Sequence, residues 1–359
     1  MAKLALHLVV GTRPEVVQAF PLAEAAARLK VDLTIVLVSQ HTDPIMSAEV
    51  LPTQVTARWK TEHVDVLPFS LGAALTALTR FFADRPPQYV IVIGDTDTSL
   101  AAALAATEQR IPVGHVEAGL RSHDWEMKEE RNRVLIDHLA TALFAPTEDA
   151  VRQLQHEHAH GIVANTGDVH VDAFRLLREQ GVLLSTAGTA KRNYVCTLHR
   201  RENILTQSRL AHLVDLLGTS DRPISFYVHP HTMRRLDEFG LLNKLRNTTG
   251  VSLEAPLPFL AFAQAVANAA GVVTDSGGVQ KQAYLLHTPC LTLRTATEWT
   301  DTLLDGWNTL ADPENLAELP RLNRPSIPPG TPFGDGHAAE RIMRTLLREV
   351  GVDGEAQHR

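Results

Sequence analysis

Short, nearly uninterrupted apolar runs recur along the chain at residues 4–10, 33–38, 89–93, 111–116, 194–198, 224–228, 271–274 and 290–293. Runs of this length, bounded by glycine or polar residues, predict parallel strands buried on both faces. Between them, residues 20–29, 73–82, 100–108, 134–140, 209–217 and 262–269 carry apolar side chains at helical spacing. Strand–helix alternation is the pattern of doubly wound α/β domains, and two such sets fit along the chain.

The first set ends near Thr166-Gly167-Asp168, ahead of a Gly/Ser/Thr/Ala-rich stretch that closes at Arg192. The expected division is therefore an N-terminal Rossmann-like domain over 1–167 and a C-terminal one over 168–336. A Pro/Gly-rich loop at 319–336 gives way to a final helix over 337–350, where Ile342, Met343, Leu346, Leu347 and Val350 form one apolar face that must be covered. The halves share a faint likeness: one strand runs into Gly94-Asp95-Thr96 and another into Thr274-Asp275-Ser276-Gly277-Gly278, each leading to a helix. Ligands in open α/β sheets bind beyond the carboxyl ends of strands, so both motifs are expected at the mouth of a ligand cleft.

Composition sharpens this picture. At 359 residues the chain exceeds one ordinary hydrophobic core, and 44% hydrophobic with 21% charged residues marks a globular protein. A net charge of -7 lacks the basic excess that nucleic-acid binding relies on, so any anion must be held locally. The two cysteines, Cys196 and Cys290, have no CxxC spacing and fit a reducing compartment, taken here as the cytoplasm. The opening run is short and leads into Gly11-Thr12-Arg13 rather than a cleavage site, and no run approaches the roughly 20 apolar residues of a membrane helix.

Gly11-Thr12-Arg13-Pro14-Glu15 places proline early in a helix and arginine beside its N-terminus, a setting that favours an anion or simply a well-made turn. The Ser276-Gly277-Gly278 turn is the stronger phosphate candidate, because two glycines admit close backbone approach. GxGxxG is absent and no Walker lysine follows, which argues against dinucleotide binding and ATP hydrolysis. Asp95, the segment His115–Arg121 and Glu129-Glu130 collect carboxylates at strand ends. Such groups suit proton abstraction and return, and equally suit a salt-bridged loop. His199-Arg200-Arg201 and His229-Pro230-His231 offer basic groups at strand ends, as ligand contacts or as helix caps. His156, His158 and His160 alternate on an expected helix and share no face, so no metal is assigned.

Taken in order, GTRPE at Gly11, GDTDTS at Gly94, HVEAGLRS at His115, EERNR at Glu129, HRREN at His199, VHPH at Val228, TDSGGVQ at Thr274 and FGDGHAAERI at Phe333 resemble the non-hydrolysing UDP-N-acetylglucosamine 2-epimerases over nearly the whole chain. The resemblance implies the two-domain architecture called GT-B, with the active site in the interdomain cleft, the last helix crossing back to the first domain, and a homodimer. It implies interconversion of UDP-N-acetylglucosamine and UDP-N-acetylmannosamine without NAD or metal, through UDP elimination to 2-acetamidoglucal and re-addition. It matches Asp95, Glu117, Glu129 and His199 to catalytic positions, and Arg13, Gln18, His229, Phe262, Ser276, Gly277, Gly278, Gln282 and Arg294 to the sugar-nucleotide site. Gln40 and His41 resemble a segment that binds an activating second UDP-sugar.

Gln18 stands where the family has lysine, Gln282 where it has a ribose-gripping glutamate, and Trp299 interrupts a Thr-Glu-Arg-Pro-Glu pattern. Such departures leave room for a different UDP-2-acetamido sugar, for a hydrolysing relative, or for a UDP-sugar-binding protein without turnover.

Overall fold

In a computed structural model of the protein, residues 4–39, 50–183 and 193–351 are described, so Gln40 and His41 lie outside the described residues. The strands are β1 Ala5–Val10, β2 Asp32–Ser39, β3 Lys60–Asp65, β4 Tyr89–Ile93, β5 Val113–Val116, β6 Ala142–Ala145, β7 Ile162–Asn165, β8 Tyr194–Thr197, β9 Ile224–Tyr227, β10 Val251–Glu254, β11 Gly271–Thr274, β12 Cys290–Thr292 and β13 Asn308–Leu310. They form one seven-stranded sheet in the order β3-β2-β1-β4-β5-β6-β7 and one six-stranded sheet in the order β10-β9-β8-β11-β12-β13. Every pairing is parallel. The protein is thus α/β, with two Rossmann-like domains.

All eight expected strands form, and five more join them. Four of the five, β3, β7, β10 and β13, are the outer strands of the two sheets. Exposed and half-buried positions dominate β3, β7 and β10, because an edge strand is covered on fewer sides and need not be an apolar run. The fifth, β6, is fully buried but only four residues long within an alanine-rich stretch, where a strand cannot be told from a helix end by pattern. The helix after β6 is Glu148–His156, so His158 and His160 lie beyond it and the expected alternation of three histidines on one helix does not occur.

The chain divides into two compact units, Met1–Gln180 with Thr331–Arg359, and Gly181–Gly330. The first seam falls one helix later than the expected 167/168 boundary, and the return falls before 336. The helix Val169–Glu179 accounts for the first difference: it packs against the helix Arg13–Leu29 and buries Val169, Ala173, Phe174 and Leu177. The Asp168 N–H donates to the Phe333 carbonyl (2.9 Å), which ties the returning segment to the first unit.

The last helix, Ala338–Glu349, packs on both of those helices and buries Ile342, Met343, Leu346 and Leu347. Its opening amides, Ala338 N–H and Ala339 N–H, donate to the buried Asp172 carboxylate (3.1 and 2.9 Å), so one helix caps another. In the second unit, Tyr194, Cys196, Leu213, Leu217, Phe226 and Leu236 belong to a separate core. Cys196 and Cys290 are both free and buried.

Candidate active site

Sheet order locates the sites. In the first unit consecutive connections run to opposite sides of β1 and β4, and in the second to opposite sides of β8 and β11. At such a switch point the loops after neighbouring strands splay apart and leave room for a ligand.

In the first unit, Glu15 bridges the two switch-point loops. Its carboxylate accepts from the Gly11 and Thr12 amides (2.6 and 2.9 Å) after β1 and from the Thr96 hydroxyl (2.8 Å) after β4. Burial pushes its pKa up to about 7 against the pull of those donors. Arg13 is exposed at the first residue of the helix that Glu15 helps to cap. Gln18, one turn on, is buried, and its Nε2 has no hydrogen-bond partner.

The carboxylates sit around the ends of β4 and β5. Asp95 pairs with Arg133, and its backbone carbonyl accepts from Asn132 Nδ2 (2.9 Å). Burial raises the Asp95 pKa, the charges of Glu117 and Glu129 push the same way, and Arg133 opposes them. Glu117 closes β5 in the left-handed backbone region (φ 69°), with Oε1 3.7 Å from His170 Nδ1. Across from it Gly94 also has positive φ (63°), and a Cβ there would stand 3.4 Å from Glu117 Oε2.

Adjacent glutamates on the helix Lys128–Leu139 have different fates. Glu129 is exposed on its first turn, while Glu130 is buried and accepts from Ser122 N–H (2.8 Å), Ser122 Oγ (2.9 Å) and His123 N–H (3.1 Å). Beneath them His115 is fully buried, with Nδ1 2.7 Å from Asp137 Oδ1 and Nε2 2.8 Å from the Gly94 carbonyl. Both ring nitrogens therefore face acceptors, and His115 braces the Gly94 turn from below. Glu117, Asp168 and His170 form the one group of three His, Asp or Glu side chains, among the described residues, whose donor atoms all come within 4.8 Å. That spacing would admit a cation, and an imidazole facing both carboxylates answers the same charge.

In the second unit Asp275 plays the part Glu15 plays in the first. Fully buried after β11, it accepts from the His199 and Arg200 amides (each 3.0 Å at the shorter contact) and from Asn203 Nδ2 (3.0 Å), all after β8. His199 turns Nδ1 toward Asp275 (3.5 Å) and stacks at a tilt on His229, ring centroids 5.4 Å apart. Burial lowers the pKa of both rings, with Asp275 opposing the shift. The His229 cap forms: its Nδ1 accepts from His231 N–H (3.2 Å), which leaves Nε2–H as a donor.

Ser276 caps the helix Gly277–Leu285 by accepting at Oγ from Val279 N–H (3.4 Å). Gly277 leaves room there for the Glu298 carboxylate, which a Cβ would displace from its pairing with Arg294. Arg294 is buried and donates to Glu298 Oε2 (3.0 Å), and Arg200 approaches Oε1 of the same carboxylate (4.0 Å). Gln282 is buried on the helix, with Nε2 lacking a hydrogen-bond partner, and Phe262 meets Tyr227 edge-on (5.8 Å). Trp299 is buried, with the Lys281 ammonium 4.1 Å from its ring centroid.

The structure thus gathers Asp95, Glu117 and the first turn carrying Glu129 in one unit, and His199, His229, the Ser276 turn and Arg294 in the other. Sequence reasoning assigned no role to the braces: Arg133, Asn132, Asp137, Asp168 and His170 in the first unit, Asn203 and Glu298 in the second. Asn132, Arg133, Asn203 and Glu298 fall within the motifs, but only a contact across the fold shows what each holds.

Two doubly wound parallel α/β units, each with a polar switch-point site and one with a Ser-Gly-Gly helix N-terminus, define a two-domain protein of the class that handles phosphate-bearing ligands. The family model of UDP-N-acetylglucosamine 2-epimerase matches residues 23–347, and the chain belongs to that family. It is 34% identical to the UDP-N-acetylglucosamine 2-epimerase of Methanocaldococcus jannaschii, over 95% of this chain and 98% of that protein. It is 31% identical to the UDP-2,3-diacetamido-2,3-dideoxy-D-glucuronate 2-epimerase of Pseudomonas aeruginosa, over 95% and 98%. The crystal structure of the Methanocaldococcus enzyme in complex with UDP-GlcNAc and UDP superposes with a TM-score of 0.79 at 32% identity, covering 96% of this chain and 99% of that one.

Proposed function

We propose that the protein interconverts UDP-N-acetylglucosamine and UDP-N-acetylmannosamine. One observation carries the reading: a chain that matches the epimerase family from residue 23 to 347 holds a carboxylate site at one switch point and a histidine–glycine–arginine site at the other. The chemistry needs both kinds of group. A base removes the C2 proton, the C1–O bond to UDP breaks with its electron pair leaving on the diphosphate, and a C1–C2 double bond remains. UDP then adds back at C1 while a proton is delivered to the other face of C2. No net oxidation occurs, so the cycle needs no redox cofactor.

Asp95, Glu117 and Glu129, with His199, are assigned the proton transfers. The Ser276-Gly277-Gly278 amides, Arg294 and Arg13 are assigned the diphosphate, and Gln282, His229, Phe262 and Gln18 the rest of the nucleotide sugar. A cytoplasmic homodimer belongs to the same reading, with analytical ultracentrifugation as its measurement.

A second reading, epimerisation of another UDP-2-acetamido sugar, is favoured by the likeness to the Pseudomonas diacetamido-glucuronate enzyme. One experiment addresses both. The protein is incubated in D2O with UDP-N-acetylglucosamine and, in parallel, with other UDP-2-acetamido sugars, and C2 is followed by NMR. Deuterium at C2 and a second epimer are expected with the true substrate. Free N-acetylmannosamine would mark hydrolysis, and tight UDP binding without label in any sugar would leave a binding protein.

A further inference from the structure

We propose that His170, held by Asp168, is the positioning residue for the Glu117 carboxylate. The inference rests on the reading that Glu117 transfers a proton. Glu117 leaves β5 with φ 69°, so its side chain departs from the line of the strand and needs a fixed partner to hold it. One oxygen lies along the Gly94 turn, and the other, Oε1, is 3.7 Å from His170 Nδ1. The same ring nitrogen is 3.3 Å from Asp168 Oδ1.

Asp168 is itself immobilised. It is buried, its N–H donates to the Phe333 carbonyl (2.9 Å), and its Oδ1 accepts from His170 N–H (2.8 Å) as the cap of the helix Val169–Glu179. Asp168 thus anchors the helix turn that carries the ring, and the ring presents Nδ1 to two carboxylates at once. A contact of 3.7 Å shortens to a hydrogen bond with a small movement, as polar contacts at acid–base sites do when substrate binds. The first turn of a helix also favours an anion beside it, which reinforces the hold on Glu117.

The atom at stake is Nδ1, and amide side chains can test it. The amide nitrogen of asparagine falls near Nδ1 of histidine, whereas that of glutamine falls near Nε2. Turnover, KM and C2 exchange are measured for His170→Ala, His170→Asn and His170→Gln, with Glu117→Gln as reference and circular dichroism confirming the fold. His170→Ala should lower kcat by about ten- to hundredfold with KM changed less than about threefold, the pattern of a misplaced reacting group. His170→Asn should restore most of the loss and His170→Gln little of it. If His170→Ala is unfolded, the Asn and Gln pair carries the comparison.

Equal rates for Asn and Gln, or a normal rate for Ala beside an inactive Glu117→Gln, would overturn the inference and leave the acid–base reading intact. Full activity of Glu117→Gln would remove that reading, and the inference with it. Loss of wild-type turnover on adding a chelator would show that a cation, rather than the imidazole, holds Glu117.

Discussion

Asp95 and Glu117 stand on neighbouring strand ends but are held differently, the first by a guanidinium and the second beside an imidazole. Different partners let two carboxylates take different protonation states at one pH, which a stepwise removal and return of a proton requires. Asp95→Asn and Glu117→Gln are each expected to lower kcat by at least about a hundredfold without loss of fold. Steady-state kinetics beside thermal melting checks this, and near-normal turnover in both would remove these groups from the reaction. Gln282 makes a separate prediction. Its Nε2 is buried with no hydrogen-bond partner, four residues beyond Gly278. On the proposed assignment a glutamate there would accept from both ribose hydroxyls, and a charge-assisted bond contributes about 1.5–3 kcal/mol against about 1 for a neutral one. Gln282→Glu should therefore tighten UDP by about tenfold while changing saturated rate little, because the ribose gains no charge in elimination. Calorimetric titration decides it, and equal or weaker binding would place the ribose elsewhere.

Strands and helices carry these groups because buried carboxylates join the loops at their ends. Glu15 joins the loops after β1 and β4, Asp275 those after β8 and β11, and Asp137 joins β5 to the helix Lys128–Leu139. Asp137 accepts from His115 (2.7 Å), from the Gly119 amide (3.1 Å) and from Arg121 (2.7 Å). Burial alone would raise its pKa, but His115 and Arg121 outweigh burial and bring it below the ordinary value of 3.8. A folded pKa below the unfolded one contributes stability that is present above 3.8 and is lost as pH falls through the folded value. Asp137→Asn should thus cost about 3 kcal/mol at pH 7, the scale of a broken buried pair, and the cost should shrink below about pH 4. Urea melts at both pH values test this, and a pH-independent difference would contradict it. These joints were only half legible in the sequence. Glu15, Asp275 and Asn203 fall inside recognisable motifs, whereas Asp137 looks like any polar residue on a helix until the partner loop is in place.

The whole molecule has one continuous unit and one interrupted unit, and this predicts how each behaves alone. Residues 181–330 form a single stretch with their own core. Expressed separately, they should melt cooperatively and bind UDP. A chain cut before Ala338 loses Ile342, Met343, Leu346 and Leu347 from the first unit, each contributing about 1.5–3 kcal/mol when fully buried. That sum rivals the usual net stability of a domain, so this truncation should unfold the first unit while the second keeps its transition. Calorimetry of both constructions reads the outcome, and an unaltered first transition would contradict the packing described. The alternation of apolar runs and helical stripes was enough to establish two doubly wound domains, because strands buried on both faces must be apolar throughout. The ordered motifs were enough to point to the family. Edge strands, the seam at Gly181 rather than 168, and the braces His170, Asp168, Arg133 and Asn203 were decided only by tertiary structure. Each depends on which distant segment lies opposite, and local pattern records the burial of a side chain but not the partner that meets it.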